Sequence, residues 1–86
     1  MPALTVYSRP GCHLCDEMKA LVRRVAQAYD PAIVVDEIDI STDPDLESRY
    51  GLEIPVLMLN GRKIAKYRSG EEALRRALMD RAGQAG

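Results

Sequence analysis

Apolar and polar positions change their period along this chain, and each change marks an element. Ala3-Leu4-Thr5-Val6-Tyr7 reads as a short β-strand. From Leu14 the spacing becomes helical, with Leu14, Met18, Leu21, Val22, Val25 and Tyr29 on one face. Ser8-Arg9-Pro10-Gly11 between them is a turn. Asp30-Pro31 breaks the helical pattern, and Ile33-Val34-Val35-Asp36-Glu37-Ile38 resumes as a strand rich in β-branched residues. Ser41-Thr42-Asp43-Pro44 opens a second helix, with Asp43 as N-cap and Pro44 at its first position; Tyr50-Gly51 closes it. Pro55-Val56-Leu57-Met58-Leu59 is a continuous apolar strand. Asn60-Gly61 signals a hairpin, and Arg62-Lys63-Ile64-Ala65-Lys66-Tyr67 returns antiparallel with alternating polarity. Ser69 and Glu72 fit a capping box for a last helix whose apolar face is Ala73, Leu74, Ala77 and Leu78.

The order β-α-β-α-β-β-α predicts an α/β fold. Two strands joined through a helix want a parallel pairing with a right-handed crossover, while the last two pair as a hairpin. A mixed four-stranded sheet flanked by helices satisfies both. No repeat, linker or second domain interrupts the pattern, so one domain is expected over residues 1–82, with a frayed tail over 83–86.

Length and composition narrow the function. At 86 residues the chain is near the lower end of what folds without staples. Its hydrophobic content of 47% suffices for one core, built from aliphatic residues and four Tyr because Trp and Phe are absent. A formal net charge of -1 gives no electrostatic case for nucleic acid or an anionic membrane. There is no apolar run long enough to span a bilayer, and the N-terminus lacks the pattern of a secretory leader. The expected compartment is therefore the cytoplasm, and a monomer is the expected state.

Chemistry concentrates in Cys12-His13-Leu14-Cys15, at the junction of the first strand and first helix. In a reducing compartment, cysteines this close are catalytic or metal-binding far more often than structural. As a staple they would close a tiny loop and constrain the unfolded chain little. Residues three apart on a helix are neighbours, so the pair can open and close as a disulfide without moving the fold. A free thiol with pKa about 8.5 is only about 3% ionised at pH 7, and the amides of a helix N-terminus favour the thiolate. That position favours Cys12 as the nucleophile, with Cys15 as the resolving thiol.

Neighbouring residues leave alternatives open. His13 either supports the Cys12 thiolate as an imidazolium or lies exposed with little effect. Asp16 and Glu17 suit the first helical turn, yet negative charge near Cys12 disfavours its thiolate. Arg9 either supports a thiolate, binds a substrate carboxylate, or is simply solvated. Tetrahedral zinc asks for four ligands, and this chain offers Cys12, Cys15 and its single histidine. A metal or iron–sulfur cluster shared between two chains, or completed by an external thiol, stays open as a rival use of the same cysteines. So does an interaction module with a vestigial dithiol. Ile54-Pro55 starts an apolar strand, where proline is tolerated, and either a cis or a trans bond fits.

These residues together resemble the glutaredoxin-like branch of the thioredoxin superfamily over nearly the whole chain. The carrying segments are Tyr7-Ser8-Arg9-Pro10-Gly11-Cys12-His13-Leu14-Cys15, Tyr50-Gly51-Leu52-Glu53-Ile54-Pro55-Val56-Leu57 and Asn60-Gly61-Arg62. The resemblance implies a thioredoxin fold and a thiol–disulfide oxidoreductase that acts in cell redox homeostasis and electron transport. It implies that Pro55 is the cis-proline facing the dithiol, that Ile54 pairs its backbone with a bound thiol substrate, and that Arg9 helps hold glutathione. The expected partners are disulfide-containing proteins, with glutathione or a thioredoxin-reductase-like flavoprotein as electron donor. No cofactor is required for the exchange; glutathione would be a co-substrate. The chain departs from the family pattern at His13-Leu14, which replaces the usual Pro and aromatic residue. It departs again at Arg68-Ser69-Gly70-Glu71-Glu72, where the usual Gly-Gly pair is incomplete and side chains at Arg68 and Ser69 crowd the approach of glutathione.

Overall fold

The computed structural model describes residues 2–84, with side chains described as far as Met79. Its central strand, β1 (Ala3–Ser8), turns Leu4, Val6 and Ser8 to one buried face, as the alternating pattern requires. Helix α1 (His13–Gln27) crosses back so that β2 (Val34–Asp39) runs parallel to β1, with Tyr7 opposite Ile38. A short 3-10 turn (Ile40–Thr42) and helix α2 (Pro44–Tyr50) then lead to β3 (Val56–Leu59), antiparallel to β1. Strand β4 (Arg62–Lys66) pairs with β3, and α3 (Glu71–Gln84) ends the chain. The sheet order is β2-β1-β3-β4, the mixed four-stranded sheet expected.

One face of the sheet carries the main core. Leu4 and Val6 of β1 and Leu57 and Leu59 of β3 pack against Met18, Val22 and Val25 of α1 and Leu74 and Leu78 of α3. On α1 these positions follow the 3.6-residue period that marked the helix in sequence. Both outer strands are lined with charge: Asp36 and Glu37 are exposed on β2, and Arg62, Lys63 and Lys66 on β4. Charged edge strands discourage pairing with other chains.

Local signals account for most boundaries. The Asp43 carboxylate accepts from the Asp45 and Leu46 amides, with Pro44 in the first turn, which is the predicted cap. Asn60 and Gly61 have φ of 52° and 83°, the backbone a two-residue hairpin demands. The last helix starts differently from expectation. It begins at Glu71, with the Leu74 amide donating to the Gly70 carbonyl, and the Ser69 hydroxyl lies against that same carbonyl. Ser69 is one residue too early to cap, so the Ser69–Glu72 box does not form. Leu74 and Leu78 are buried as predicted, whereas Ala73 is exposed. Helix α3 is continuous to Gln84; the rest of the expected tail, 85 and 86, lies outside the described residues.

Candidate active site

Strand β1 ends at Ser8, and Pro10 and Gly11 turn the chain into α1 with φ +78° at Gly11. Cys12 is the N-cap of α1, in extended backbone, and its carbonyl accepts the first helical bond from the Asp16 amide at 3.1 Å. Cys15 stands one turn on. The two are joined as a disulfide with Cα atoms 5.1 Å apart, well inside the range a disulfide accepts. The Cys12 Sγ also accepts from the Cys15 amide at 3.1 Å. An amide at the helix N-terminus therefore already points at the sulfur that would carry negative charge on reduction.

The two cysteines differ in access. Cys15 is fully buried, while Cys12 is partly exposed beside an exposed Gly11. An external thiol or disulfide meets Cys12 first. Across the sheet, Tyr7 pairs with Val56, so the chain entering β3 through Ile54-Pro55 lies alongside the end of β1, where the dithiol loop begins. The Ile54–Pro55 bond is cis and Pro55 is buried. The second cis bond joins Asp30 to Pro31, in the connection from α1 to β2.

Hydrogen bonds hold this approach segment at nearly every residue. The Gly51 amide donates to the Glu47 carbonyl at 2.9 Å, and the Glu53 amide to the Tyr50 carbonyl at 2.8 Å. The Glu53 carboxylate accepts from Lys63 Nζ at 2.5 Å, which holds its pKa below the usual carboxylate value. The Leu52 carbonyl accepts from the Tyr67 hydroxyl, and the Pro55 carbonyl from the Tyr67 amide, each at 2.8 Å. Ile54 is the one residue of 51–55 that makes no hydrogen bond among the described residues.

Arg9 and His13 have partners other than the sulfurs. The Arg9 guanidinium forms an ion pair with Glu47 of α2 and reaches the Gly51 carbonyl at 3.5 Å, bracing the dithiol loop against α2. The His13 side chain is 90% exposed and its Nε2 faces Glu17 at 3.5 Å, which is the exposed alternative of the two. Asp16 is exposed as well. A groove of about 350 Å³ runs between α1 and the β4–α3 connection, lined by Leu14, Leu21, Arg24, Tyr67, Arg68 and Ser69 among others but by neither cysteine. Arg68 and Ser69 thus stand on its wall. Glu47 and Tyr67 had no motif to mark them: their contacts to the site span 38 and 15 residues of chain.

The model of the glutaredoxin-like domain (DUF836) matches residues 3–79. The chain belongs to that family. Thioredoxin 1 of Nostoc sp. is 31% identical over 67 residues, covering 74% of this glutaredoxin-like chain. The match spans only 63% of that thioredoxin's own length. Among solved structures, the structural-genomics target protein XcR50 from X. campestris superposes with a TM-score of 0.74 at 35% identity, covering 91% of this chain and 97% of that one. A mutant thioredoxin from Halobacterium salinarum gives a TM-score of 0.65 at 24% identity, covering 92% and 73%, and shows the fold alone. The glutaredoxin-like chain thus has a thioredoxin fold, and its Cys-X-X-Cys pair at the head of α1 supports a redox function.

Proposed function

We propose that this glutaredoxin-like protein is a thiol–disulfide oxidoreductase that reduces protein disulfides or glutathione-mixed disulfides through Cys12 and Cys15. The observation that carries the reading is the unequal burial of one disulfide: a partly exposed Cys12 at a helix N-terminus and a fully buried Cys15 one turn on. The Cys12 thiolate attacks one sulfur of the substrate disulfide and expels the other as a thiolate. The Cys15 thiolate then attacks the Cys12 sulfur of that mixed disulfide and releases the second substrate thiol. Two electrons pass to the substrate, each sulfur leaves as a thiolate that takes a proton from water, and the protein ends as its disulfide.

Restoring the dithiol takes two electrons from two glutathione molecules or from a reduced flavoprotein. The ion pair of Arg9 with Glu47 favours the flavoprotein route. A guanidinium already held by a carboxylate must exchange partners before it can receive the carboxylate of glutathione.

The test is reduction of the oxidised protein by glutathione with glutathione reductase, and separately by thioredoxin reductase, followed as NADPH consumption in the presence of a disulfide substrate. Turnover through the flavoprotein is the expected result. Turnover through glutathione alone would keep the oxidoreductase reading and overturn the assignment of the donor. No turnover through either would overturn the reading itself.

A further inference from the structure

Tyr67 holds a backbone conformation that an aromatic residue rarely takes. Its φ is +66°, and the Arg68 amide donates to the Lys66 carbonyl at 2.7 Å, closing a three-residue turn around it. Turns of this size with positive φ at the centre are the rare and strained kind. Such a conformation persists only where surrounding contacts over-determine it, and it clusters where geometry serves function.

What Tyr67 contacts is the segment that enters β3 beside the end of β1, where the dithiol loop begins. Its amide donates to Pro55 and its hydroxyl to Leu52, so one residue grips carbonyls on both sides of Ile54. Lys63, from the same strand edge, adds the ion pair to Glu53. Ile54 is left between these anchors with its own N–H and C=O unengaged among the described residues. An extended polypeptide can pair with such a residue as one rung of a sheet. A loop fixed in advance offers that rung without an ordering cost at binding.

We infer that Tyr67 is a positioning residue that presets Ile54 for an extended protein substrate, through its two bonds to Leu52 and Pro55. The inference rests on the oxidoreductase reading and assigns within it the residue that favours disulfides with a peptide backbone over those without one. A small aromatic disulfide such as DTNB has no peptide backbone to pair, so it gains nothing from the clamp. Tyr67→Phe keeps the ring and the amide bond and removes only the hydroxyl bond to Leu52.

The experiment compares wild type and Y67F on insulin and on the small aromatic disulfide DTNB, alongside amide hydrogen exchange of the free proteins. Losing one neutral hydrogen bond should raise KM for insulin roughly two- to tenfold with kcat little changed. Reduction of DTNB should stay close to wild type. The Glu53 amide, which donates to the Tyr50 carbonyl beside Leu52, should exchange faster in Y67F while the Val6 amide of the central strand does not. An unchanged KM for insulin, or an equal loss on both substrates, overturns the positioning role and leaves the oxidoreductase reading intact. Unchanged exchange at Glu53 also overturns the role. Failure of the wild-type protein on both disulfides overturns the underlying reading, and the role falls with it.

Discussion

At the scale of single residues, burial separates two cysteines that are chemically identical. Cys12→Ser should abolish the first step with every disulfide, because the buried Cys15 has no access to an external sulfur. Cys15→Ser should leave that step intact and accumulate a mixed disulfide at Cys12, visible as a covalent adduct by mass spectrometry. Equal loss of the first step in both variants would mean that the roles are reversed or shared. A second residue-scale prediction concerns Arg9, which answers to Glu47 across α2. Glu47→Gln removes the competing carboxylate and should raise glutathione-coupled turnover, while turnover with dithiothreitol stays level. A glutathione rate that does not move would detach Arg9 from the choice of donor. The pair is more than a third exposed, so its loss should change stability by only about 0–1 kcal/mol.

At the scale of elements, the β3–β4 hairpin shows what a local signal specifies. Gly61 has φ +83° and open space where a side chain would start, so Gly61→Ala meets no clash and carries only the cost of its backbone conformation. A destabilisation of about 1 kcal/mol is expected, read as a lower urea midpoint with an unchanged slope. A midpoint equal to wild type would mean that the turn relaxes to another form. Asn60 adds a longer tie, since its amide and side-chain oxygen bond the carbonyl and amide of Ala3 at 2.9 Å each. The hairpin, the Asp43-Pro44 cap and the dithiol at the head of α1 are all legible in sequence because each depends on adjacent residues. The 3-10 turn at Ile40–Thr42 is not, because it rests on Asp39 accepting from Ser41, a pattern that fits many loops. The start of α3 falls one residue from the expected cap because Ser69 and Gly70 both suit that position in sequence. Nor can composition show that Arg9 turns to Glu47 or that Tyr67 adopts a positive φ: both depend on where distant strands and helices meet.

At the scale of the whole molecule, ion pairs run between elements around the core, and they make stability depend on acid. Arg23 of α1 bonds Glu37 of β2, Lys63 of β4 bonds Glu53 before β3, and Glu71 of α3 accepts from Arg75 and from Arg24 of α1. Those hydrogen bonds hold Glu37, Glu53 and Glu71 below the ordinary carboxylate value of 4.5, and the Ser41 hydroxyl and amide hold Asp39 below 3.8. A carboxylate depressed in the folded state binds its proton more readily when unfolded. Its contribution is therefore complete above the ordinary value and disappears as pH falls through the folded value. The urea midpoint should stay level from pH 7 to about 5 and decline below about 4.5. High salt should shrink the change, since solvent reaches both partners of each pair. Glu71 provides the internal control, because it alone ties α3 to α1 by charge among the described residues. Glu71→Gln should be slightly less stable than wild type at neutral pH and should converge with it in acid, where the wild-type carboxylate is itself neutral. A gap between the two that persists undiminished at low pH would assign the loss to packing at the head of α3 rather than to the charge of Glu71.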